Sequence, residues 1–236
     1  MTTPLTVLHV APHPDDEVIA VPATLLGLRR AGHRVVNLAC SLGRPPQHVR
    51  RRREVAEACR RAGFELVVHE PPLAISSGDD HVRAVRALAA SVASLAGELG
   101  AALVVAPSPD DRHPGHEVVG RAVVSGLGFE GGPRLWQWGL WASLRDPTLY
   151  VPFGEAVLEE ALHAVRAHAG EIERNDYVAL VRARAVATRI QGSEQVFGYG
   201  SPGREGPYAD VLAELVFAGG GWRRGEPRVP DLARPF

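Results

Sequence analysis

The chain has 236 residues, 45% of them apolar and 22% charged, with a formal net charge of −1. That length suits one large α/β domain over residues 1–236, and the balance is that of a soluble globular protein. The near-zero charge gives no field to recruit nucleic acid or an anionic membrane, and no apolar stretch is long enough to span a bilayer.

The first residues, Met1-Thr2-Thr3-Pro4, lead into a strand without a signal-peptide core. Only Cys40 and Cys59 occur, each in an apolar-patterned segment, so a disulfide framework is not expected and a reduced, cytoplasmic setting is. The run Leu5 to Ala11 is apolar and rich in β-branched residues, too short for a helix and suited to a buried strand. His13-Pro14-Asp15-Asp16 follows at the strand's C-terminal end, where open α/β sheets place their ligands. Pro12 and Pro14 fix φ on both sides of the histidine and stiffen the turn. His13 and Asp16 can reach one divalent ion, which leaves Asp15 as a candidate general base. The plainer alternative is that Asp15, Asp16 and Glu17 decorate a helix N-terminus.

Pro22 would be costly inside a helix begun at Asp16, so the pattern predicts a short turn over Glu17 to Val21 and a helix from Pro22 to about Arg30. Strands are expected at Arg34 to Cys40 and Glu65 to His69, with a helix from Val49 to Ala62 between them, closed by Gly63. A proline-containing loop leads to a long helix from about His81 to Leu99, and Ala101 to Ala106 is a fourth, fully apolar strand. This alternation predicts a Rossmann-like three-layer α/β/α sandwich on a mostly parallel sheet. The second half predicts strands at Arg134 to Leu140, Thr148 to Pro152 and within Pro207 to Phe217, and helices at Glu155 to Ala169 and Tyr177 to Ile190. The last stretch, Gly219 to Phe236, is rich in Gly, Pro and Arg and is expected as a surface tail.

Directly after the fourth strand stands Ser108-Pro109-Asp110-Asp111-Arg112-His113-Pro114-Gly115-His116. A parallel sheet would bring it beside the first motif. His13, Asp16 and one of these two histidines make a two-nitrogen, one-carboxylate set that leaves a position open for water.

PHPDD after the first strand, with DRHPxH after a later one, resembles the LmbE-like/PIG-L family of zinc-dependent deacetylases, which remove acetyl groups from N-acetylglucosamine units. Arg53-Glu54 with Ala58 and Gly63 looks like the family's substrate-side helix, and Ser193-Glu194-Gln195 like its Ser-x-Gln turn. The resemblance implies Zn2+ held by His13, Asp16 and His116, with Asp15 as general base. It implies that His113 stabilises the oxyanion or protonates the leaving amine, and that Arg53 contacts the sugar. A protonated His113 would favour the developing negative charge. The chain departs from the family at Gly115, where many members have Asp, and Asp110 or Asp111 would have to supply that carboxylate. It departs also at Ala20-Val21-Pro22, where glycines are common, and at Glu70-Pro71-Pro72, in place of an acidic-Gly loop.

Gly198-Tyr199-Gly200-Ser201-Pro202-Gly203 spells GxGxxG but follows no first strand, so it reads as a loop. Trp136 and Trp138 share a strand face with Trp141 nearby; core packing is preferred there over a sugar platform. The basic run Arg50 to Arg53 reads as a solvated helix face apart from Arg53, and His9 and His168 read as non-ligands. The expected partners are a small-molecule amino sugar and, in a homo-oligomer, further copies of the chain. A zinc amidase acting on another amide, such as a thiol-sugar conjugate, and a non-catalytic sugar- or nucleotide-binding module are the alternatives.

Overall fold

The computed structural model describes residues 3–75 and 81–236, so Met1, Thr2 and part of the loop expected before the long helix lie outside the described residues. β1 (Thr6–Ala11) is buried on both faces: Val7 packs into one layer, Leu8 and Val10 into the other. Its neighbours are β2 (Arg34–Ser41) on one side and β4 (Ala101–Pro107) on the other, both parallel to it. With β3 (Glu65–Leu73), β5 (Arg134–Trp138), β6 (Leu149–Phe153), β7 (Tyr208–Ala218) and β8 (Gly221–Arg224), the sheet runs β3-β2-β1-β4-β5-β7-β6, and β8 pairs with β7. Pairing is parallel from β3 through β5 and antiparallel around β7. The chain order reverses between β1 and β4, so this is where a doubly wound sheet opens a crevice at its C-terminal edge.

One face of the sheet carries α1 (Asp16–Ile19), α2 (Pro22–Arg30), α3 (His48–Ala62), α6 (Glu155–Val165) and α8 (Tyr177–Phe197). The other carries α4 (His81–Leu99) and α5 (Pro114–Gly126), and α7 (Ala169–Arg174) follows α6. The three-layer arrangement is the expected one. Pro22 opens α2 at its first turn, as its fixed φ and missing N–H demand. Gly63 ends α3 in the left-handed region at φ 71°, with its N–H on the carbonyls of Cys59 and Arg60.

Three stretches differ from the sequence expectation. β3 continues through Pro71 and Pro72, which an edge strand tolerates because one side of it needs no donor. The helix expected over Glu155 to Ala169 divides around Arg166 to His168, where the His168 ring turns inward to the Glu17 carboxylate. α8 runs on to Phe197, so Ser193-Glu194-Gln195 is helical rather than a turn. Gly192 lets it do so: a Cβ there would come 2.3 Å from Val211 Cγ1, and its absence allows the helix to lie close on β7. The C-terminal stretch runs mostly along the surface and is anchored there through β8, the ion pair of Arg228 with Glu214, and His33 Nε2 against the Leu232 carbonyl at 2.9 Å.

α2 is tied to β7 by the Asp210 carboxylate, which accepts from Thr24 N (2.8 Å) and Thr24 Oγ1 (3.0 Å). Burial pushes the Asp210 carboxyl up to about 6, against the donors of Thr24 and the Arg184 charge. A folded-state pKa above the unfolded one favours the fold at low pH, and that contribution is lost as pH rises through the folded value. Relative to Asp210→Asn, the wild type should therefore lose roughly 2 kcal/mol of unfolding free energy between pH 4 and pH 7. Urea denaturation of both proteins at the two pH values checks this; parallel stabilities would show that Asp210 does not titrate there.

Candidate metal and active site

The two motifs meet at the crevice. His13 and Asp16 leave β1, His113 and His116 leave β4, and the imidazole centroids lie 4.6 Å (His13–His113), 5.3 Å (His13–His116) and 4.8 Å (His113–His116) apart. Nitrogens of the three rings all fall within 4.8 Å of one another, close enough to hold one metal ion. Asp16 reaches the same point: its Oδ2 is 3.3 Å from His13 Nδ1 and its Oδ1 3.5 Å from His116 Nε2. Burial works to raise the Asp16 carboxyl, but His116 and His13 hold it well below the usual carboxylate range.

His116 is completely enclosed, edge-on to Trp138 at 5.2 Å. Its Nδ1 sits 3.0 Å from Asp111 Oδ2, so Nε2 is the nitrogen left for the crevice. The same Asp111 carboxylate accepts from the backbone N–H groups of Leu140 (2.8 Å) and Trp141 (2.9 Å). Asp111 thus orients His116, a ligand candidate, and does not stand in for a carboxylate beside His113.

His113 caps α5: its Nδ1 accepts from Gly115 N at 3.2 Å. With that lone pair engaged, Nε2 carries the proton of the neutral ring. Burial and the neighbouring imidazoles of His13 and His116 push His113 down to about 4, so it is neutral at pH 7. The cap bond and the two neighbouring imidazoles thus favour a neutral donor at His113 over the cation.

Asp15 stands in a costly conformation, φ 135°, which a non-glycine residue adopts only when its surroundings enforce it. The enforcement is visible. Asp15 N donates to Glu17 Oε2 (2.9 Å), Glu17 Oε1 meets His168 Nε2 (2.7 Å), and Arg51 Nη2 donates to the Pro14 carbonyl (2.8 Å). The Asp15 carboxylate is thereby placed on the wall of a cavity of about 120 Å³ with His13, Asp16, His113, His116 and Arg51. Burial and the Asp16 charge push it well above its ordinary pKa, opposed by Arg51, whose Nη2 lies 3.7 Å from its Oδ2.

Arg53 is exposed on α3, and its nearest polar contact is the Val49 carbonyl. The arginines lining the cavity are Arg51 and Arg174, which pair with Glu171 at 3.3 and 2.9 Å. The helical phase decides this. Arg51, Glu54, Val55, Ala58, Cys59 and Ala62 form the buried face of α3, and Arg53 is out of that phase. Neither Glu17–His168 nor Trp141, which lines the cavity and is 45% exposed, was marked by a motif.

Gly115 has a steric reason. A Cβ there would come 2.7 Å from His13 Nε2 and 2.8 Å from its Cε1, so any side chain must displace that ring. Gly115→Asp is therefore expected to weaken binding of a metal ion at this site by about tenfold or more, as loss of ligand support does, instead of tuning His113. Zinc titration calorimetry of wild type and variant measures it; equal affinities would show that the His13 ring accommodates the change.

The fold recurs in known proteins. A conserved protein of Thermus thermophilus superposes with TM-score 0.66 at 24% identity, over 88% of this chain and 93% of that one. The N,N'-diacetylchitobiose deacetylase of Pyrococcus horikoshii gives 0.66 at 18% identity over 89% and 83%. The 4-carboxy-2-hydroxymuconate hydratase GalB of Pseudomonas putida gives 0.67 at 15% identity over 96% and 98%. No curated protein matches the sequence. A deacetylase and a hydratase on one scaffold mean that the fold alone does not choose the reaction. The family profile described as PIG-L: GlcNAc-PI de-N-acetylase matches residues 8–127, just over half of the 236-residue chain and the stretch that contains both histidine motifs. The protein belongs to the PIG-L (LmbE-like) family of de-N-acetylases.

Proposed function

We propose that the protein is a zinc-dependent N-deacetylase that hydrolyses the acetamide of an N-acetylglucosamine-type glycoside or conjugate in the cytoplasm. The observation that carries this reading is the convergence of His13, Asp16 and His116 on one point, with Asp15 beside them and free of their contacts. Two imidazoles and a carboxylate, one imidazole backed by Asp111, are a donor set that fits zinc. The engaged Nδ1 of His113 favours Asp16 over His113 as the third ligand. Bound there, zinc supplies Lewis acidity to the acetamide and the attacking water.

The chain's own groups do the rest. Asp15 Oδ takes the proton from water as it attacks the acetamide carbon, and returns it to the departing amine nitrogen. His113, through its Nε2–H, donates to the oxyanion as charge develops there. Arg51 sits where it holds Asp15 and faces the sugar. Among the described residues no helix is long and apolar enough to cross a membrane.

The test is incubation of the zinc-loaded protein with a panel of N-acetylglucosamine glycosides and thiol-sugar conjugates, assayed for acetate and free amine. Stoichiometric acetate and amine are expected. Release of another acid from a conjugate would make the protein an amidase of different specificity, and no amine from any substrate would overturn the proposal.

A further inference from the structure

Trp141 belongs to two spaces. It lines the catalytic cavity, and it also lines a neighbouring polar cleft of about 190 Å³ between the 139–144 loop and α8. We infer that this cleft is a second subsite, which takes a neutral hydroxyl-rich unit, such as another sugar, attached to the N-acetylated ring and laid across Trp141.

Size is the first argument. The catalytic cavity, about 120 Å³, is well below the roughly 300–1,000 Å³ of sites that enclose a small molecule, while cavity and cleft together reach the lower edge of that range. The lining gives the chemistry. Arg184, Thr188, Gln191 and Gln195 are spaced at i, i+4, i+7 and i+11, one stripe of α8 facing the loop. Arg184 is engaged, donating to the Gly139 carbonyl (2.8 Å) and the Leu140 carbonyl (2.9 Å). No carboxylate lines the cleft. What remains is two hydroxyls, Ser143 and Thr188, and two exposed amides, groups that donate and accept alike and so match sugar hydroxyls better than an ion.

The loop is also fixed in advance. Its N–H groups at Leu140 and Trp141 are taken by Asp111, and its carbonyls at Gly139 and Leu140 by Arg184. The backbone that carries Trp141 is therefore held in place between the two spaces without help from a ligand, which lowers the ordering cost of stacking a sugar on its ring.

The inference rests on the deacetylase reading for the first sugar, so the experiment has a binding arm that does not depend on turnover. The zinc-loaded wild type and Gln191→Ala/Gln195→Ala are compared on methyl N-acetylglucosaminide and on α- and β-linked neutral disaccharides that carry N-acetylglucosamine. kcat/KM is taken from acetate release and Kd from calorimetry. Alanine suits an exposed helix position, so the double variant should fold. At least one disaccharide is expected to exceed the monosaccharide by about tenfold or more in wild type, with that ratio collapsing about tenfold in the variant, the scale of one lost net interaction. Disaccharide binding that the variant loses, without acetate release, would keep the cleft and remove the deacetylase. Equal handling of mono- and disaccharides, or a ratio the variant leaves intact, would overturn the cleft. No binding and no turnover would overturn both.

Discussion

Asp15→Asn should keep the fold and the metal and lose about 10²- to 10⁴-fold in kcat, the usual cost of removing a positioned general base. The backbone of Asp15 is held by Glu17 Oε2 on its own N–H and by Arg51 on the preceding carbonyl, and neither contact uses the Asp15 side chain. An amide of the same shape therefore leaves the φ 135° turn in place. Nor should stability fall. The Asp15 carboxyl is pushed upward by burial and by Asp16, so the folded state disfavours its ionised form, and the neutral amide removes that repulsion. The measurements are kcat on the best acetylated substrate, zinc content and thermal midpoint. Near-wild-type kcat would place the base elsewhere; lost zinc would make Asp15 a ligand.

The central sheet was legible because strands buried on both faces read as short continuous apolar runs, and β1, β2 and β4 are such runs. Element ends were less so wherever packing or a distant partner outweighs local preference. Gly192 looks like a helix breaker, yet contact with Val211 of β7 makes it the residue that allows α8 to pass. Arg166 to His168 carry no breaker, and the break there answers to Glu17, 151 residues away from His168.

The site divides in the same way. His13, Asp15, Asp16, His113 and His116 meet in one cavity because both motifs follow strands directly, and parallel topology brings such turns together. Arg51 is legible when the period of Val55, Ala58, Cys59 and Ala62 is extended backwards, whereas Arg53, which the motif resemblance singles out, lies out of that phase. The protonation state of His113 was not legible, since it depends on two imidazoles from elsewhere in the fold and on a cap bond to Gly115. Trp141 stands apart from Trp136 and Trp138 because the strand ends between them: those two are fully enclosed, whereas Trp141 sits on a loop that Asp111 pins.

Replacing a proposed ligand should have the largest effect of any substitution. His116→Ala is expected to leave almost no zinc on protein purified without chelator, against one equivalent in wild type, and to abolish turnover with it. His116 offers only Nε2, because Asp111 holds Nδ1, so no second nitrogen of the ring can compensate. The third ligand is decided by a paired comparison. Three imidazole nitrogens cluster within 4.8 Å, which would allow His113 to bind, whereas Asp16 lies between His13 and His116 at 3.3 and 3.5 Å. His113 Nδ1 is committed to Gly115 N, and binding through Nε2 would require the ring to give up its proton there. Asp16→Ala should therefore lose zinc as His116→Ala does, while His113→Ala retains it and loses rate. Metal analysis after dialysis, with circular dichroism to confirm that each variant is folded, separates the two sets. Zinc kept by Asp16→Ala and lost by His113→Ala would establish the three-histidine site and leave Asp16 as a group that only orients His13 and His116.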